Sequence, residues 1–461
     1  MGAAKYDYDV IVVGSGIGGL GAGALLAHTG YKTLVVEKFD YVGGRWSTEE
    51  YEGFKLDRGA HIIEVGGRLE QIFKEVAAKW EHVVVPDLRW KVHGKDYEMP
   101  PKGSLRRLLE IVNDLEGKKA TSEGRTAKGV PIKEITDAMR RGFDEPEKQV
   151  GPTIRDWLLQ FTDNKDVYDI FDSIAVLAGA RAYEMTTASL FRFFRIGGAR
   201  APGKAPRGNS ANAESLAEVI KKKGDVWTRC RAKRILVSNG VTKGIVIIKD
   251  GKETEVTSQV VISNIGPKGT IDLVGEENWP DKEYLKLMRI RLRPTPACQI
   301  YIGSDRPLWG EPGTKGVCQV TGARRVIGID PFSTISPDLA PPGQHLTFIF
   351  GGPQSSLFPP DNEYEAKQYM LDLDELLPGL KDHGRILKLD IRNIDSEFPE
   401  YRSWPGHGMP PETPIKNLYN TGDAITARRE GENLIDTGYV GSMAAADSAI
   451  VVANMVKGTL V

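Results

Sequence analysis

A glycine-rich turn close to the N-terminus constrains the fold more than any other feature of this sequence. Residues 9–13 form a short β-branched run typical of a buried parallel strand, and the turn at 14–19 follows it in the pattern G-x-G-x-x-G. An Ala- and Leu-rich helix comes next and leads to a second apolar run at 33–36. Residues 7–37 therefore predict one β-α-β unit, which typically takes roughly 30 residues.

The same unit predicts a dinucleotide site. The first glycine of the pattern permits a tight turn, the second lets a pyrophosphate approach the backbone N–H groups of the helix N-terminus, and the third allows close packing of helix on strand. Glu37 ends the second strand, 23 residues after Gly14, where a carboxylate accepts a hydrogen bond from a ribose hydroxyl. A carboxylate there also disfavours the 2′-phosphate of NADP. The residues assigned to this site are Gly14, Gly16, Ile17, Gly18, Gly19, Glu37 and Lys38.

Composition and charge narrow the class of protein. The chain has 461 residues, enough for two or more lobes, and its 61 Lys and Arg residues balance 62 Asp and Glu residues. This balance gives no electrostatic reason to expect nucleic acid as a partner. The three cysteines are far apart and form no CxxC pair, which argues against a disulfide framework or a metal site. Because no apolar stretch reaches about 18 residues, we expect a cytoplasmic protein without a transmembrane helix.

The order of the predicted elements indicates a chain that passes repeatedly between two domains. We expect one domain to contain residues 1–70, 213–275 and 397–461, and the other to contain 71–212 and 276–396. The first part of the second domain reads as mostly helical, and its second part reads as an antiparallel sheet. The middle segment of the first domain predicts a meander, because Asn-Gly and Asp-Gly pairs separate its β runs.

Several segments have patterns of their own. Residues 154–180 have apolar side chains at helical spacing, with Gly-Pro just before them, and predict a helix. The polar, glycine-rich stretches 117–129 and 199–212 predict mobile loops. Residues 260–264 predict a further buried strand after the meander.

Two short motifs extend the β-α-β unit into a longer signature. Gly43, Gly44 and Arg45 follow the second strand, and the sequence L-D-R-G-A-H follows at 56–61. Together with the β-α-β unit, these segments resemble the N-terminal signature of the flavin amine oxidase and carotenoid desaturase superfamily. The resemblance implies an α/β fold with a Rossmann-type FAD-binding domain, like that of glutathione reductase, and a discontinuous α+β substrate domain containing an antiparallel sheet and helices. It also implies non-covalent FAD, with Glu37 on the ribose.

The resemblance assigns further roles along the chain. The G-G-R loop and the 56–61 segment, which includes Gly59 and His61, would approach the phosphates and the flavin. In the meander, Ala232 would present its backbone to the adenine. Residues near the C-terminus would accept a hydrogen bond from the ribityl chain and cover the flavin pyrimidine; they are Gly422, Asp423, Gly438, Tyr439 and Val440.

The candidate substrate-binding residues are predicted from their position in the chain rather than from a motif. Tyr183 comes after a buried-looking helix, Trp404 and His407 precede the C-terminal FAD segment, and Arg429 lies in the loop within it. For each of them, a side chain that only packs or faces solvent is the alternative. The run 190–195 mixes aromatic and basic residues, which indicates either weak peripheral membrane contact or an ordinary amphipathic helix.

The leading interpretation is an FAD-dependent oxidoreductase similar to carotenoid desaturases. In such an enzyme, hydride leaves an apolar or alicyclic substrate carbon for flavin N5 while a proton leaves the neighbouring carbon. The alternative is oxidation of an amine or another C–N or C–O bond. Gly438 argues against amine oxidation, because amine oxidases of the superfamily have at that position an aromatic residue that forms one wall of a substrate cage.

A third interpretation is a non-catalytic protein like the Rab escort and GDP-dissociation inhibitor proteins. Those proteins depart from the G-G-R motif and the ribose carboxylate, which are present here as Arg45 and Glu37. The sequence identifies no catalytic acid–base pair, and it specifies neither the electron acceptor nor the oligomeric state.

Overall fold

The computed structural model describes most of the chain. The described residues are 6–92, 95–99, 104–149, 151–177, 179–197, 201–294, 297–309, 316–355, 359–392, 401–403, 409–426 and 441–460. Its helices are α1 (Ile17–His28), α2 (Arg68–Glu75), α3 (Ser104–Gly117), α4 (Ile132–Asp144), α5 (Ile154–Leu158), α6 (Lys165–Leu177), α7 (Thr187–Gly197), α8 (Ser210–Lys221), α9 (Gly266–Val274), α10 (Lys282–Arg291), α11 (Phe332–Ile335), α12 (Asn362–Leu376), α13 (Leu380–His383) and α14 (Gly441–Thr459).

The strands form several sheets. They are β1 (Tyr8–Val13), β2 (Thr33–Val36), β3 (Thr48–Tyr51), β4 (Phe54–Asp57), β5 (Ile63–Val65), β6 (Val83–Val84), β7 (Asp87–Val92), β8 (Lys95–Met99), β9 (Ala201–Lys204), β10 (Asp225–Trp227), β11 (Cys230–Ser238), β12 (Val241–Lys249), β13 (Lys252–Ser263), β14 (Leu292–Pro294), β15 (Cys298–Ser304), β16 (Gly316–Thr321), β17 (Val326–Asp330), β18 (His345–Gly351), β19 (Gly384–Ile391), β20 (Tyr401–Ser403) and β21 (Leu418–Asn420).

A seven-stranded sheet carries the glycine turn. Its order is β10-β2-β1-β13-β12-β11, and β21 also pairs with β13. The strands β10, β2, β1, β13 and β21 run parallel to one another. In contrast, β11 and β12 extend the sheet in antiparallel fashion. The β-α-β unit predicted from the sequence is confirmed, because β1, α1 and β2 follow one another with β1 in the centre of the sheet.

The helix α1 is buried along almost its whole length. Every residue from Ile17 to Ala27 is buried, and the helix packs against α8, α14 and the sheet. A helix that is apolar on all sides is stable only when neighbouring elements cover it. Its N-terminus, which follows the glycine turn, is therefore held in a fixed position by its surroundings.

The meander is confirmed, with one difference in its last strand. Asn239 and Gly240 have φ of 51° and 69°, and Asp250 and Gly251 have φ of 51° and 75°, as the primed turns of tight hairpins require. The strand expected at 260–264 is not a separate strand. It is the end of β13, which pairs with β12 in its first half and with β1 in its second.

A second seven-stranded sheet forms a separate lobe. Its order is β19-β15-β18-β17-β16-β7-β8, and its pairs are antiparallel except for β16 with β7. The helices α3 to α7 pack together in one apolar cluster that includes Trp90 of β7. Helices make up most of the regular structure in 71–212, as expected, and the shorter strands β6, β7, β8 and β9 also lie within it.

The helix predicted at 154–180 is interrupted between α5 and α6. Thr162 and Asn164 are buried in the interruption, and the Thr162 hydroxyl donates to Glu116 while the Asn164 N–H donates to the Thr162 hydroxyl. Side-chain hydrogen bonds of this kind compete with the helical backbone pattern. Because the apolar spacing continues on either side of the interruption, the sequence pattern alone predicts one continuous helix.

Of the two segments predicted as mobile loops, the first consists of turns after the end of α3, and the second is only partly a loop. In the first, Thr126 is buried and its hydroxyl donates to the carbonyl of Phe161. The second contains β9 and the start of α8. The run 190–195 lies in α7, where Leu190 and Phe191 are fully buried, so these two residues pack inside the protein rather than on a bilayer. None of the described helices is both long and apolar enough to cross a membrane.

The strand β9 carries a buried ion pair. The Lys204 ammonium donates to the carboxylate of Asp57 on β4, and both side chains are almost completely buried. Asp57 also accepts from the Thr48 hydroxyl and from the backbone N–H of Asn209. The pair thus ties β9 to β4 at the junction of the two lobes.

We predict that Lys204→Met lowers the free energy of unfolding by about 3–5 kcal/mol, because it leaves a carboxylate buried without its cation. Urea unfolding of the purified protein measures this change. Adding Asp57→Asn should recover part of the loss. Lys367→Met, which breaks the exposed pair with Glu363, is the control and should change stability by less than about 1 kcal/mol. Equal effects of the two lysine variants would contradict the prediction.

Candidate functional site

A cavity of about 1000 Å³ lies between the two lobes. One end is lined by the glycine turn, the end of β2, the G-G-R loop and the start of the meander. The other end is lined by β7, α6, α7, β16 and β18 of the second lobe. Small-molecule pockets commonly reach about 300–1000 Å³, so the cavity has room for a large ligand.

The glycine turn brings three distant segments together. Gly14 has φ of +93°, a conformation that favours glycine, so the tight turn requires the first glycine as predicted. A Cβ on Gly19 would lie 2.1 Å from the Gly14 carbonyl oxygen, so the close packing of helix on strand requires the third glycine as predicted. A Cβ on Gly16 would lie 2.6 Å from Oδ1 of Asn264, and one on Gly18 would lie 2.9 Å from the backbone nitrogen of Gly422. These two glycines therefore also make room for the protein itself.

The N-terminus of α1 is suited to an anion. Gly16 caps this end and offers no side chain to the first turn, whose N–H groups have no partners within a helix. These groups and the helix dipole together favour a phosphate. Asn264 lies beside them with Oδ1 buried and without a hydrogen-bond partner in the described part of the chain, so it can accept from a ligand hydroxyl.

Glu37 lines the cavity at the end of β2 and is almost completely buried. Its Oε2 accepts from the backbone N–H and the hydroxyl of Ser15, at 2.9 and 2.6 Å, and its Oε1 accepts from the N–H of Phe39 at 3.1 Å. A carboxylate has about four acceptor positions, so these donors orient it and leave room for one hydroxyl.

Arg45 and Asp423 meet across the cavity. Two guanidinium nitrogens of Arg45 donate to the two carboxylate oxygens of Asp423, at 2.8 and 3.1 Å. The family resemblance implied that Arg45 lies near the phosphates and Asp423 near the ribityl chain, but it did not predict that they contact each other. Such a paired fork fixes both side chains.

With one exception, the other predicted cofactor residues of the described chain also lie on the cavity. They are Gly14, Gly16, Ile17, Gly18, Lys38, Gly43, Gly44, Gly59, His61, Ala232 and Gly422, whereas Gly19 packs behind the turn. Gly438, Tyr439 and Val440 lie outside the described residues. The same holds for the substrate candidates Trp404, His407 and Arg429.

The structure does not place Tyr183 on the cavity. Its hydroxyl donates to the carbonyl of Gln354, and its contact with substrate stays a prediction. The neighbouring Arg181 does line the cavity, and its guanidinium donates to Asp172 and to the carbonyls of Gly352 and Pro353. These contacts hold α6 against the end of β18.

Several polar residues on the cavity were not found from the sequence. Gln299 donates from Nε2 to the Gly59 carbonyl at 2.8 Å and accepts from Nη2 of Arg392 at 2.8 Å. Asp330 lies with Oδ2 3.6 Å from Nε2 of His61. Burial raises the pKa of Asp330 to about 8 and lowers the pKa of His61 to about 3. No motif marks Gln299, Asp330 or Arg392, since each sits in or next to an ordinary strand.

The model of the family described as flavin containing amine oxidoreductase matches residues 17–431. The chain belongs to this family. It is an FAD-dependent oxidoreductase with the mixed α/β fold of that family, which supports the enzymatic interpretation over a non-catalytic one.

Known proteins are similar along much of the chain. An uncharacterised protein of Methanocaldococcus jannaschii is 25% identical over 89% of this chain and 90% of its own length. Prolycopene isomerase 2 of an Oncidium hybrid cultivar is 26% identical over 95% of this chain and 83% of its own. Phytoene desaturase of Cercospora nicotianae is 26% identical over 55% of this chain and 44% of its own.

Solved structures share the fold. The crystal structure of an oxidoreductase from Methanosarcina mazei superposes with a TM-score of 0.79 and covers 97% of this chain and 100% of the other, at 23% identity. The residues on the cavity also fit FAD. The uncapped N-terminus of α1 suits its phosphates, Glu37 has an acceptor position left for a hydroxyl, and Asn264 offers a buried acceptor without a described partner.

We predict that Glu37→Ala weakens FAD binding at least about tenfold, because one charge-assisted hydrogen bond contributes about 1.5–3 kcal/mol. Titration of the apoprotein with FAD in a calorimeter measures the affinity. Asp40→Ala is the matched control, since it removes an exposed carboxylate near Glu37 that pairs with Arg229 instead of lining the cavity. Unchanged affinity in Glu37→Ala would show that the carboxylate does not hold the cofactor.

Proposed function

We propose that the enzyme removes hydrogen from an apolar or alicyclic substrate, as a dehydrogenase or desaturase does. The observation that carries this proposal is the apolar character of the cavity in the second lobe. Its walls there include Leu88 and Trp90 of β7, Ile174 and Val176 of α6, and Phe193 of α7. Burial of apolar surface stabilises a bound substrate by about 25 cal/mol per Å², so these walls favour a hydrocarbon.

The charges near this end of the cavity also favour an apolar substrate over an amine. Arg181 and Arg392 line it and carry positive charge, and the buried Lys204 lies near Asp330. A protonated amine would meet cations there, each of which already has an acidic partner of its own. Because its pKa is raised to about 8, Asp330 is mostly neutral at pH 7 and gives such an amine no full counter-charge.

The relatives support the same substrate class. Phytoene desaturase and prolycopene isomerase are named for action on phytoene and prolycopene, which are apolar hydrocarbons. We extend this class of substrate to the present chain as part of the proposal. Oxidation of an amine remains the second candidate, because the matching family model is described as an amine oxidoreductase.

The residues of the chain would bind FAD, orient the substrate and shield both from water. When bound, FAD supplies the two-electron oxidant. The first turn of α1 would hold the phosphates of FAD, and Glu37 would hold its ribose. The Arg45–Asp423 pair would fix the adjoining wall of the cavity. The aromatic and aliphatic side chains of β7, α6 and α7 would exclude water and orient the substrate.

We infer the domain division expected from the sequence, with one refined boundary. The segments 1–70, 213–275 and 397–461 would form the FAD-binding domain, and 71–212 and 276–396 the substrate domain. The parallel sheet supports this division, since its strands come from all three segments of the first domain. Because α8 (Ser210–Lys221) packs on α1, we place the second segment's start at 210 rather than 213.

The proposal predicts which compounds reduce the flavin. Under anaerobic conditions, phytoene in detergent micelles or an alicyclic ketone should bleach the flavin absorption of the holoenzyme in a stopped-flow experiment. Cyclohexylamine and other simple primary amines should not. Reduction by amines alone, or by no apolar compound of the panel, would contradict the proposal.

A pair of variants tests the apolar wall itself. Leu88→Asp should lower kcat/KM for the apolar compound at least about tenfold while FAD binding is retained, because a charge in the wall must be desolvated when substrate binds. Leu371→Asp is the control, since Leu371 is 47% exposed and does not line the cavity. Equal kcat/KM in both variants would show that substrate does not contact β7.

A further inference from the structure

We propose that Asp330 accepts the proton that leaves the substrate, and that His61 is a positioning residue for its carboxylate. This inference rests on the proposed function. It starts from a juxtaposition that no sequence motif marks: the last residue of β17, in the second lobe, faces the histidine of the L-D-R-G-A-H segment. Both residues line the cavity.

Aromatic packing holds the imidazole of His61 beside the carboxyl group of Asp330. Asp330 Oδ2 lies 3.6 Å from Nε2 of His61, and the two side chains are 7% and 15% exposed. The ring of His61 packs against Phe348 at 4.2 Å between centroids and against Phe350 at 5.5 Å. A further contact with Phe332, at 5.8 Å, completes an aromatic surround that fixes the imidazole plane.

The charges around the pair come from several elements. Lys204 of β9 lies near both groups, but its ammonium is already bound to the carboxylate of Asp57 on β4. Arg392, which follows β19, also disfavours a charged His61, and its guanidinium donates to Asp390 and Gln299. The neighbouring cations are thus engaged elsewhere.

Burial therefore decides the protonation states. It raises the pKa of Asp330 to about 8, although the charge of Lys204 and the hydrogen bond from the backbone of Cys318 on β16 act in the opposite direction. It lowers the pKa of His61 to about 3, with the charges of Lys204 and Arg392 acting in the same direction. At neutral pH the imidazole of His61 is therefore uncharged. The carboxyl group of Asp330 gains and loses its proton near pH 8, and a general base is most effective when its pKa lies close to the pH of the reaction.

The chemistry of the proposed dehydrogenation balances with this assignment. Two C–H bonds on neighbouring substrate carbons break and one C=C bond forms. One hydrogen leaves with its electron pair and reduces FAD, the oxidant of this family. The other leaves as a proton, and a carboxylate oxygen of Asp330 takes it up. The proton then passes to solvent, which restores the carboxylate for the next turnover.

The assignment predicts a pH dependence with a definite sign. Asp330 accepts a proton only as the carboxylate, so flavin reduction by phytoene should speed up as the pH rises through about 8 and then level off. Asp330→Asn should slow the reduction by roughly 10²- to 10⁴-fold and remove this rise. Asp330→Glu restores a carboxyl group and should recover part of the rate. Asp338→Asn, on an exposed residue, should leave the profile unchanged.

A second measurement is independent of turnover. The infrared difference spectrum between the wild-type holoenzyme and Asp330→Asn should contain a carboxylic-acid C=O band that disappears with a midpoint near pH 8. His61→Asn should lower kcat for the apolar compound with little change in KM, and it should shift this midpoint. If the spectrum contains no such band at pH 6, the assignment of Asp330 is wrong.

The two measurements separate this inference from the proposed function. If phytoene reduces wild type and Asp330→Asn at the same rate with the same pH profile, the inference is wrong and the proposed substrate class stands. If only amines reduce the flavin, the substrate class and the proton transfer built on it are both wrong, even though the carboxylic-acid band is still present.

Discussion

The structure depends on the close contact of the N-terminus of α1 with the turn before it and with the segments around Asn264 and Gly422. Only glycine fits at these contacts, because a Cβ on Gly16, Gly18 or Gly19 would overlap with neighbouring atoms. The burial of α1 on all sides fixes its axis, and the axis fixes the direction in which its free N–H groups point. The cofactor end of the cavity is thus determined by packing before any ligand binds.

The second lobe is joined to the first through polar contacts that are almost completely buried. Tyr301 donates to the backbone of Asp57, Gln299 donates to the backbone of Gly59, and Lys204 pairs with the Asp57 carboxylate. All three contacts end on the short segment that also carries His61. Buried hydrogen bonds and ion pairs are directional, so they set the orientation of the lobes more strictly than apolar packing alone does.

Prediction from the sequence succeeded where the signal is local. The glycine turn, Glu37 and the G-G-R loop lie within 40 residues, and each motif is complete in one segment. Asp330, Gln299 and Arg392 could not be recognised, because their relevance comes from the pairing of strands that are distant in the chain. Lys204 was missed because β9 is four residues long and contains Pro and Gly, so it reads as a loop.

The strand β13 has a consequence for how the chain reaches its native state. It pairs with β1 through Tyr8 and Ser258, and with β21 through Val261 and Leu418. The central sheet therefore joins segments separated by some 250 and then about 160 residues, and contacts of this separation form slowly because loop closure costs entropy. During synthesis, β1 can pair with β2 early, but it can pair with β13 only after more than half of the polypeptide has left the ribosome. One edge of β1 stays unpaired throughout that interval, and the nucleotide cleft assembles only at its end.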